Sequence, residues 1–278
     1  MKFTKMHGCG NDYVYINGFT EHIEDKVSFV KAVSDRHFGV GGDGAIFINP
    51  SEIADFEMEM YNADGTRAEM CGNGIRCVAK YVYDKGLTDK TSITIESFGK
   101  VKVIELTVEN NEVTQVRVNM GKPILKASEI PVVSQKEPVV KEKIVVKDKE
   151  YEMTCVSMGN PHAVVFIDDV TNLEIEAVGP YFENHEAFPN RTNTEFVKVK
   201  DRNTVQMRVW ERGTGETLAC GTGCCATLVA CVLNGLTDRK ATIEVLGGKI
   251  QVEWDEESDC VFMTGPATIV FEGEFPWK

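Results

Sequence analysis

The chain has 278 residues, 42% of them hydrophobic, which is enough for one large domain or two ordinary domains with buried cores. Its 43 acidic residues outnumber the 30 basic ones, and the net charge of −13 disfavours nucleic acid or an anionic membrane as a partner. Because the sequence has neither a signal-peptide pattern nor an apolar run approaching the ~20 residues of a membrane span, we expect a cytoplasmic protein.

The first half of the chain is predicted to alternate strands with two helices. A Gly-Asn turn opens the strand-like segment NDYVYING (11–18), and EDKVSFVKAVSD (24–35) follows with helical periodicity. The extended segment FEMEMYNADGT (56–66) ends in an irregular loop, and a second helix is predicted to start at Cys71. Three alternating, strand-like segments come after that helix: SITIES (92–97), KVKVIELTV (100–108) and VTQVRVNM (113–120).

The second half repeats the first at a constant offset. Positions 71 and 220 are 149 residues apart, and this shift aligns CGNGIRCVAKYVYDKGLTD (71–89) with CGTGCCATLVACVLNGLTD (220–238). A chance coincidence of glycine-rich turns would explain one match, but not a shift that holds from residue 10 to residue 249. We therefore infer that the chain is built from two similar halves.

The elements of the second half match those of the first. They are NPHAVVFID (160–168), LEIEAVGPYFENH (173–185), VQMRVWERGTG (205–215), a helix after Cys220, and the strand-like segments ATIEVL, KIQVEW and CVFMTG. We predict an α+β fold of two pseudo-symmetric domains, residues 1–120 and a second domain from residue 121 onward, each a mainly antiparallel sheet around a central helix.

Both central helices are predicted to be buried and to begin directly after a cysteine. No residue from Gly221 to Gly235 is charged, as expected for a helix inside a domain, and the matching helix carries a single charged stripe that includes Arg76. Each helix ends at Gly-Leu-Thr-Asp, whose glycine suits a left-handed cap. Cys71 and Cys220 are therefore predicted at helix N-termini, a position that favours the reactive thiolate.

Two such thiols suit a reaction that inverts a carbon centre, because one base must remove a proton from one face while an acid returns a proton to the other. The turns Gly72-Asn73 and Gly221-Thr222 leave backbone N–H groups that can bind a carboxylate and stabilise the developing carbanion. Since no glycine-rich phosphate loop accompanies a Schiff-base lysine, we expect no pyridoxal phosphate and no other cofactor. No separated C-x-x-C pairs or metal-ligand histidine spacing predict a metal site.

Several segments together resemble the diaminopimelate epimerase family over essentially the whole chain: GCGNDYVYI, YNADGTRAEMCGNGIRC, GNPHAVVF, RTNTEF and ERGTGETLACGTG. The resemblance implies a cofactor-independent isomerase that interconverts LL- and meso-diaminopimelate for lysine and peptidoglycan precursors. It also implies two barrel-like domains with the site in the cleft between them, and a homodimer. A return of residues 266–278 to the first domain is implied too, so that the second domain spans residues 121–265.

The resemblance implies roles for individual residues. Cys71 and Cys220 would be the acid and base, and His162 with Glu211 would tune the thiol pair. Arg212 can clamp a distal carboxylate and Glu211 can accept an ammonium, whereas asparagine side chains offer both donor and acceptor. The predicted substrate contacts are Asn11, Asn62, Gly72, Asn73, Asn160, Asn193, Glu211, Arg212, Gly221 and Thr222. Some family members have glutamine where this chain has Gly44, so a contact from that side chain is lost here.

The remaining cysteines and histidines are predicted to be structural. Cys77, Cys224, Cys225 and Cys231 should lie in helix cores, Cys9 and Cys155 should be structural although they could line the site, and Cys260 should pack within a strand. His7, His22, His37 and His185 form no metal-ligand spacing.

Three other functions stay open on the sequence. A proline racemase relative would use the same two-thiol chemistry on another substrate. A thiol redox or metal-binding protein could use the same sulfurs, and a disulfide between Cys71 and Cys220 would fit either reading. The third alternative is an isomerase of the phenazine-biosynthesis type, but those relatives lack the paired cysteines.

Overall fold

A computed structural model describes residues 1–68 and 70–277 of the chain. Glu69, from one of the family-like segments, and Lys278, the last residue of the predicted returning segment, lie outside the described residues. The helices are α1 Lys26–Ser34, α2 Gly72–Asp84, α3 Ile175–Glu183 and α4 Gly221–Leu233, with a 3-10 turn at Ala127–Glu129. The strands are β1 Lys2–Gly8, β2 Asn11–Asn17, β3 Gly44–Asn49, β4 Phe56–Asn62, β5 Arg67–Ala68, β6 Ser92–Ser97, β7 Lys100–Glu109, β8 Glu112–Gly121, β9 Glu142–Val146, β10 Lys149–Ser157, β11 Pro161–Phe166, β12 Asn193–Asp201, β13 Thr204–Glu211, β14 Gly215–Thr217, β15 Lys240–Val245, β16 Gly248–Trp254, β17 Val261–Gly265 and β18 Thr268–Glu274.

The chain divides into two compact units, residues 1–118 with 264–278, and residues 119–263. In the first unit β18 pairs with β1, and the pairing continues through β2, β3, β4, β6, β7 and β8. The pairs β2–β3 and β4–β6 are parallel, and the others in this series are antiparallel. The C-terminal strand β18 therefore supplies a sheet neighbour for the N-terminal strand β1.

The second unit has the corresponding order. Its strands pair from β9 through β10, β11, β12, β13 and β15 to β16, and the parallel pairs are β11–β12 and β13–β15. Here the strand beside β10 is β9, which comes directly before it in the chain, whereas β1 receives β18 from the far end. The predicted α+β class and mainly antiparallel sheets are confirmed, with two parallel pairs added in each unit.

The central helices begin and end as the repeat predicts. Cys71 and Cys220 are the N-cap residues of α2 and α4, both with extended backbone. Gly86 and Gly235 follow the C-terminal ends, each with φ of 71°, so both glycines adopt the left-handed conformation that ends a helix cleanly. Within its own unit, α2 packs on β1, β2, β6 and β7, while α4 packs on β10, β11, β12, β13, β15 and β16.

The charged stripe of α2 lies inside the first unit. Arg76 is fully buried and Lys80 is nearly so. Lys80 Nζ lies 2.6 Å from Asp84 Oδ2 and donates to the Val113 carbonyl at 2.8 Å. These contacts satisfy the ammonium group, which is what permits a lysine at a core position.

A smaller helix covers one side of each sheet, and its packing is tight at one glycine. In the second unit Phe182 of α3 packs edge-on against Phe196 with ring centroids 5.3 Å apart. Gly179 faces the indole of Trp210, and a Cβ there would lie 2.4 Å from Trp210 Cδ2. Trp210 is also fixed by Glu183, one turn further along the same helix, because its Nε1 donates to Glu183 Oε2 at 2.8 Å.

Gly179→Ala should therefore lower the free energy of unfolding by about 1–3 kcal/mol, although alanine is normally the better helix former. Denaturant unfolding measures this change. In a Trp210→Leu background the same substitution should cost less, because the rigid ring is gone. An equal cost in both backgrounds would contradict the assignment to the indole contact.

Candidate active site

Cys71 holds its sulfur at the start of α2 through two contacts. Cys71 Sγ accepts from the Gly74 N–H at 3.2 Å and donates to Asn11 Oδ1 at 3.1 Å. The first contact satisfies one of the helix N–H groups that have no partner within the helix. The side chain is half-buried, so the sulfur is held in place but not sealed off.

Asn11 is oriented by a charged network at the edge of the first unit. Asn11 Nδ2 donates to Asp43 Oδ2 at 2.8 Å, and Arg36 bridges Asp43 and Asp12 at 2.8 Å each. Because the amide nitrogen is committed to a carboxylate, the amide oxygen must face the sulfur of Cys71. The predicted site residue Asn11 thus lies directly beside the predicted catalytic thiol.

Arg76 supports the turn that follows Cys71. Its guanidinium donates to the Gly72 carbonyl at 3.1 Å, to Asn73 Oδ1 at 2.9 Å and to the Pro266 carbonyl at 3.2 Å. Arg76 was not among the predicted site residues, because its repeat partner is Cys225 and its spacing placed it only in the charged stripe of α2. The four-residue separation from Gly72 was the one available signal.

Cys220 lies at the start of α4, but its surroundings differ. Its Sγ is 3.5 Å from Thr222 Oγ1, and the side chain is buried. Burial raises the pKa of the Cys220 thiol well above its ordinary value, and the negative charges of Glu211 and Glu195 raise it further. The predicted lowering at a helix N-terminus is therefore outweighed at Cys220 by loss of solvent and by two carboxylates.

Glu211 ends β13 next to this thiol. Its Oε1 accepts from Thr217 Oγ1 at 2.5 Å. Burial raises the pKa of the Glu211 carboxyl, whereas hydrogen bonds from Thr217 and Cys220 act in the opposite direction. Its charge in turn raises the pKa of the Cys220 thiol, and the tuning role of Glu211 stays a prediction.

His162 connects a buried carboxylate to the predicted substrate-binding residues of the second unit. The ring is fully buried, with Nδ1 2.7 Å from Glu195 Oε1 and Nε2 3.0 Å from Asn160 Oδ1. Asn160 Nδ2 donates in turn to Thr222 Oγ1 at 3.2 Å. Sequence reasoning missed Glu195 as an individual residue, because its repeat partner is Ile46 and identity across the repeat was the guide.

The remaining predicted contacts take part in loop structure. Asn193 Nδ2 donates to the Pro161 carbonyl at 3.0 Å, and its Oδ1 accepts from the Arg212 N–H at 2.8 Å. Asn193 thus fixes the backbone that carries the exposed Arg212 side chain. Asn62 Nδ2 donates to Thr66 Oγ1 at 3.0 Å at the end of β4.

Gly44 lies where no larger side chain fits without a backbone shift. It pairs with Asn62 across β3 and β4, and a Cβ would lie 2.0 Å from the Tyr61 carbonyl oxygen. The local backbone of this chain therefore leaves no room at position 44 for the glutamine side chain of other family members.

The helix cysteines lie in the cores as predicted, and one prediction was wrong. Cys77, Cys224, Cys225 and Cys231 are fully buried, and Cys9 and Cys155 are buried too. Cys260, expected within a strand, precedes β17 in a turn in which the Asp255 N–H donates to the Cys260 carbonyl, and its side chain is half-buried. The polar run at 255–259 closes this turn and delays the strand by one residue.

Comparison with known proteins decides the family. The family model "Diaminopimelate epimerase" matches residues 3–126 and 154–270. A diaminopimelate epimerase of Methanococcus maripaludis is 59% identical over 274 residues and covers 99% of both chains. One of Agathobacter rectalis is 59% identical over 281 residues with the same coverage. The chain belongs to the diaminopimelate epimerase family. The resemblance stated from the sequence and the predicted isomerase class are both confirmed.

Solved structures share the fold at low identity. A phenazine biosynthesis protein of the PhzF family from Bacillus anthracis has a TM-score of 0.71 at 17% identity, with 100% of this chain and 99% of that chain covered. A hydroxyproline epimerase from Agrobacterium vitis has a TM-score of 0.69 at 13% identity, with 98% and 90% covered. These likenesses confirm the predicted diaminopimelate epimerase-like fold.

Two further features bear on other functional classes. In residues 1–68 and 70–277, no three or more His, Cys, Asp or Glu side chains are grouped so that they could hold a metal ion. Among the helices of the described chain, none is long and apolar enough to cross a membrane.

Glu211→Gln should move the titration of the Cys220 thiol to lower pH. The carboxylate charge disfavours the thiolate, so its removal lets Cys220 lose its proton more easily. NMR titration of ¹³Cβ-labelled cysteine measures this, with the Cys220 signal assigned from Cys220→Ser.

Glu216→Gln is the matched control, because Glu216 pairs with Arg208 at 2.6 Å and is not among the groups with the largest effects on the pKa of Cys220. It should leave the Cys220 midpoint where it is. A midpoint in Glu211→Gln that stays fixed or rises would contradict the electrostatic assignment.

Proposed function

We propose that the protein interconverts LL- and meso-diaminopimelate by a two-base mechanism with Cys71 and Cys220 as the acid and base. One observation carries the proposal: both cysteines are the N-cap residues of matching buried helices in a repeated chain of this family. The names of the relatives supply the substrate. The two compact units are proposed to be the two epimerase halves.

In the proposed reaction a thiolate removes the α-proton from one face of the substrate carbon. The other cysteine, as a thiol, gives a proton to the opposite face, so the stereocentre inverts and the two sulfurs exchange protonation states. The reverse direction uses the same groups in exchanged roles, because each half supplies an equivalent thiol. Solvent then returns the pair to its starting state between turnovers.

The carbanion must be stabilised as it forms, because the α-proton of an amino acid is only weakly acidic. We assign this to the backbone N–H groups of the turns Gly72-Asn73 and Gly221-Thr222, which would receive the reacting α-carboxylate. In the first turn the carbonyl of Gly72 and the side chain of Asn73 are already held by Arg76. The donors are therefore oriented before substrate binds, and less reorganisation is needed in the transition state. On this assignment no pyridoxal phosphate is needed as an electron sink.

The far end of the substrate would be read by a second set of groups. Arg212 is exposed and its backbone is held by Asn193, so its guanidinium can reach a distal carboxylate in a fork of two hydrogen bonds. Nearer the thiols, Glu211 offers a carboxylate to an ammonium and Asn11 offers an amide group, and Asn62 and Asn160 offer further amide groups. A homodimer in the cytoplasm completes the proposal.

The first test follows hydrogen at the reacting carbon. In heavy water, product formed from LL-diaminopimelate should carry solvent deuterium at the inverted carbon, because the thiols exchange with solvent. Cys71→Ala and Cys220→Ala should each lower turnover by about a thousandfold or more. Cys260→Ala is the cysteine control and should leave turnover unchanged, since Cys260 lies in a turn before β17.

Inversion with full retention of substrate hydrogen would count against the two-thiol mechanism, and so would activity that survives loss of either cysteine. Offering L-proline beside LL-diaminopimelate separates the proline racemase alternative. Stoichiometric zinc or iron in the purified protein, with no epimerisation in the presence of reductant, would favour the metal-binding alternative.

A further inference from the structure

Glu195 is a buried carboxylate to which the proposed reaction gives no role. It lies on β12 with no exposed surface, and its Oε1 contacts His162 Nδ1 at 2.7 Å. Among the described residues its Oε2 has no hydrogen-bond partner. Burying a carboxylate in this way costs free energy unless the charge is paired. The residue therefore calls for an explanation beyond packing.

A continuous chain of polar contacts leads from Glu195 to the sulfur of Cys220. It passes from His162 Nε2 to Asn160 Oδ1 at 3.0 Å, from Asn160 Nδ2 to Thr222 Oγ1 at 3.2 Å, and from Thr222 Oγ1 to Cys220 Sγ at 3.5 Å. Glu195 also approaches the first turn of α4 directly, because a Cβ on Gly223 would lie 2.7 Å from its Oε1. Glu195 and Cys220, the two ends of this series of contacts, thus both lie at the N-terminus of α4.

The direction of each hydrogen bond depends on which atoms of His162 and Thr222 carry hydrogen. With the amide oxygen of Asn160 toward Nε2, both ring nitrogens of His162 face oxygen atoms. This arrangement is satisfied when each nitrogen carries a hydrogen and the ring is the cation balanced by Glu195. Asn160 then accepts with its oxygen and donates with its nitrogen to Thr222. Since Thr222 Oγ1 already accepts that bond, its own hydrogen is available to point at the sulfur of Cys220.

The sequence of the first half does not repeat the two residues at which this series of contacts begins. At the offset of 149 residues, Glu195 and His162 correspond to Ile46 and Tyr13. Ile46 also lies against its helix, because a Cβ on Gly74 would be 2.8 Å from Ile46 Cδ1. An apolar residue fills this place beside α2, so a carboxylate beside α4 is not a requirement of the fold.

We propose that Glu195 is a positioning residue: as the counter-charge of His162 it sets the hydrogen-bond direction through Asn160, so that Thr222 donates to Cys220. The proposal rests on the two-base function above and adds a residue to it. The other titratable groups around the pair are Glu211 at the end of β13, Cys220 before α4 and Cys155 on β10. The charge of Glu211 raises the pKa of Cys220, and the charge of Glu195 raises the pKa of both Glu211 and Cys155.

The first measurement uses the unmodified protein. ¹⁵N-histidine NMR at neutral pH should show His162 with a hydrogen on both ring nitrogens, and Glu195→Gln should show a hydrogen on one nitrogen only. With a bare Nε2, the Asn160 amide would turn to donate to it, and Thr222 would then donate to Asn160 in place of Cys220. A singly protonated His162 ring in the unmodified protein would overturn the proposal without the need for any variant.

The second measurement asks whether Glu195 acts through Thr222. Glu195→Gln should lower kcat on the order of tenfold and leave KM within about twofold, because an oriented donor to the reacting group is lost. In a Thr222→Val background the same substitution should change kcat by less than about twofold, since the donor is already absent. An equal loss in both backgrounds would show a purely structural effect and overturn the proposal.

Thr194→Val is the matched control on the same strand. Thr194 is fully buried, and in the described part of the chain its hydroxyl has no partner, so the substitution keeps size and should leave kcat and the His162 signals unchanged. Failure of the two-base function can be told apart from failure of the Glu195 proposal. In the first case the unmodified protein incorporates no deuterium, and in the second the NMR spectrum shows a singly protonated His162 ring.

Discussion

The start of a buried helix is the constraint on which each half of the molecule depends. The first N–H groups of α2 and α4 have no partner within their helices, and burial removes the water that would otherwise satisfy them. A cysteine at the cap offers sulfur, a weak acceptor, and at α2 it takes the bond from Gly74. A serine or an aspartate would satisfy the same groups more fully. In the proposed function, backbone N–H groups at these helix starts would bind a carboxylate of the substrate, next to a proposed catalytic group.

Electrostatic terms of opposite sign then decide how easily such a sulfur becomes charged. The helix end favours the thiolate, but at Cys220 burial and two carboxylates prevail, so its pKa lies well above the ordinary value. A substrate ammonium placed against Glu211 would offset one of those charges. In the proposed function, binding of a diamino acid would therefore lower the pKa of the Cys220 thiol. Without substrate, Cys220 would stay a thiol of low reactivity.

The repeat made much of this arrangement readable from the sequence. The offset placed both cysteines at helix starts. The helices that follow, α2 and α4, begin and end at positions that correspond under the same offset. The two groups that sequence reasoning missed, Arg76 and Glu195, stand where the halves differ, opposite Cys225 and Ile46. Identity between the two halves identifies only shared residues, so it does not indicate positions such as these. Their roles depend on burial and on partners distant in the chain, such as Pro266 for Arg76.

The two halves use one backbone plan with different polar support. Asn11 is oriented by an exposed network of Asp43 and Arg36, whereas Asn160 is oriented by a histidine buried against Glu195. Charges near the surface are screened by water and salt, but those in the interior are screened far less. The surroundings of the thiol in the first half should therefore respond to ionic strength, and those in the second should not. The duplicated fold places two sulfurs at equivalent helix starts. The residues that differ between the halves give these two sulfurs different electrostatic surroundings.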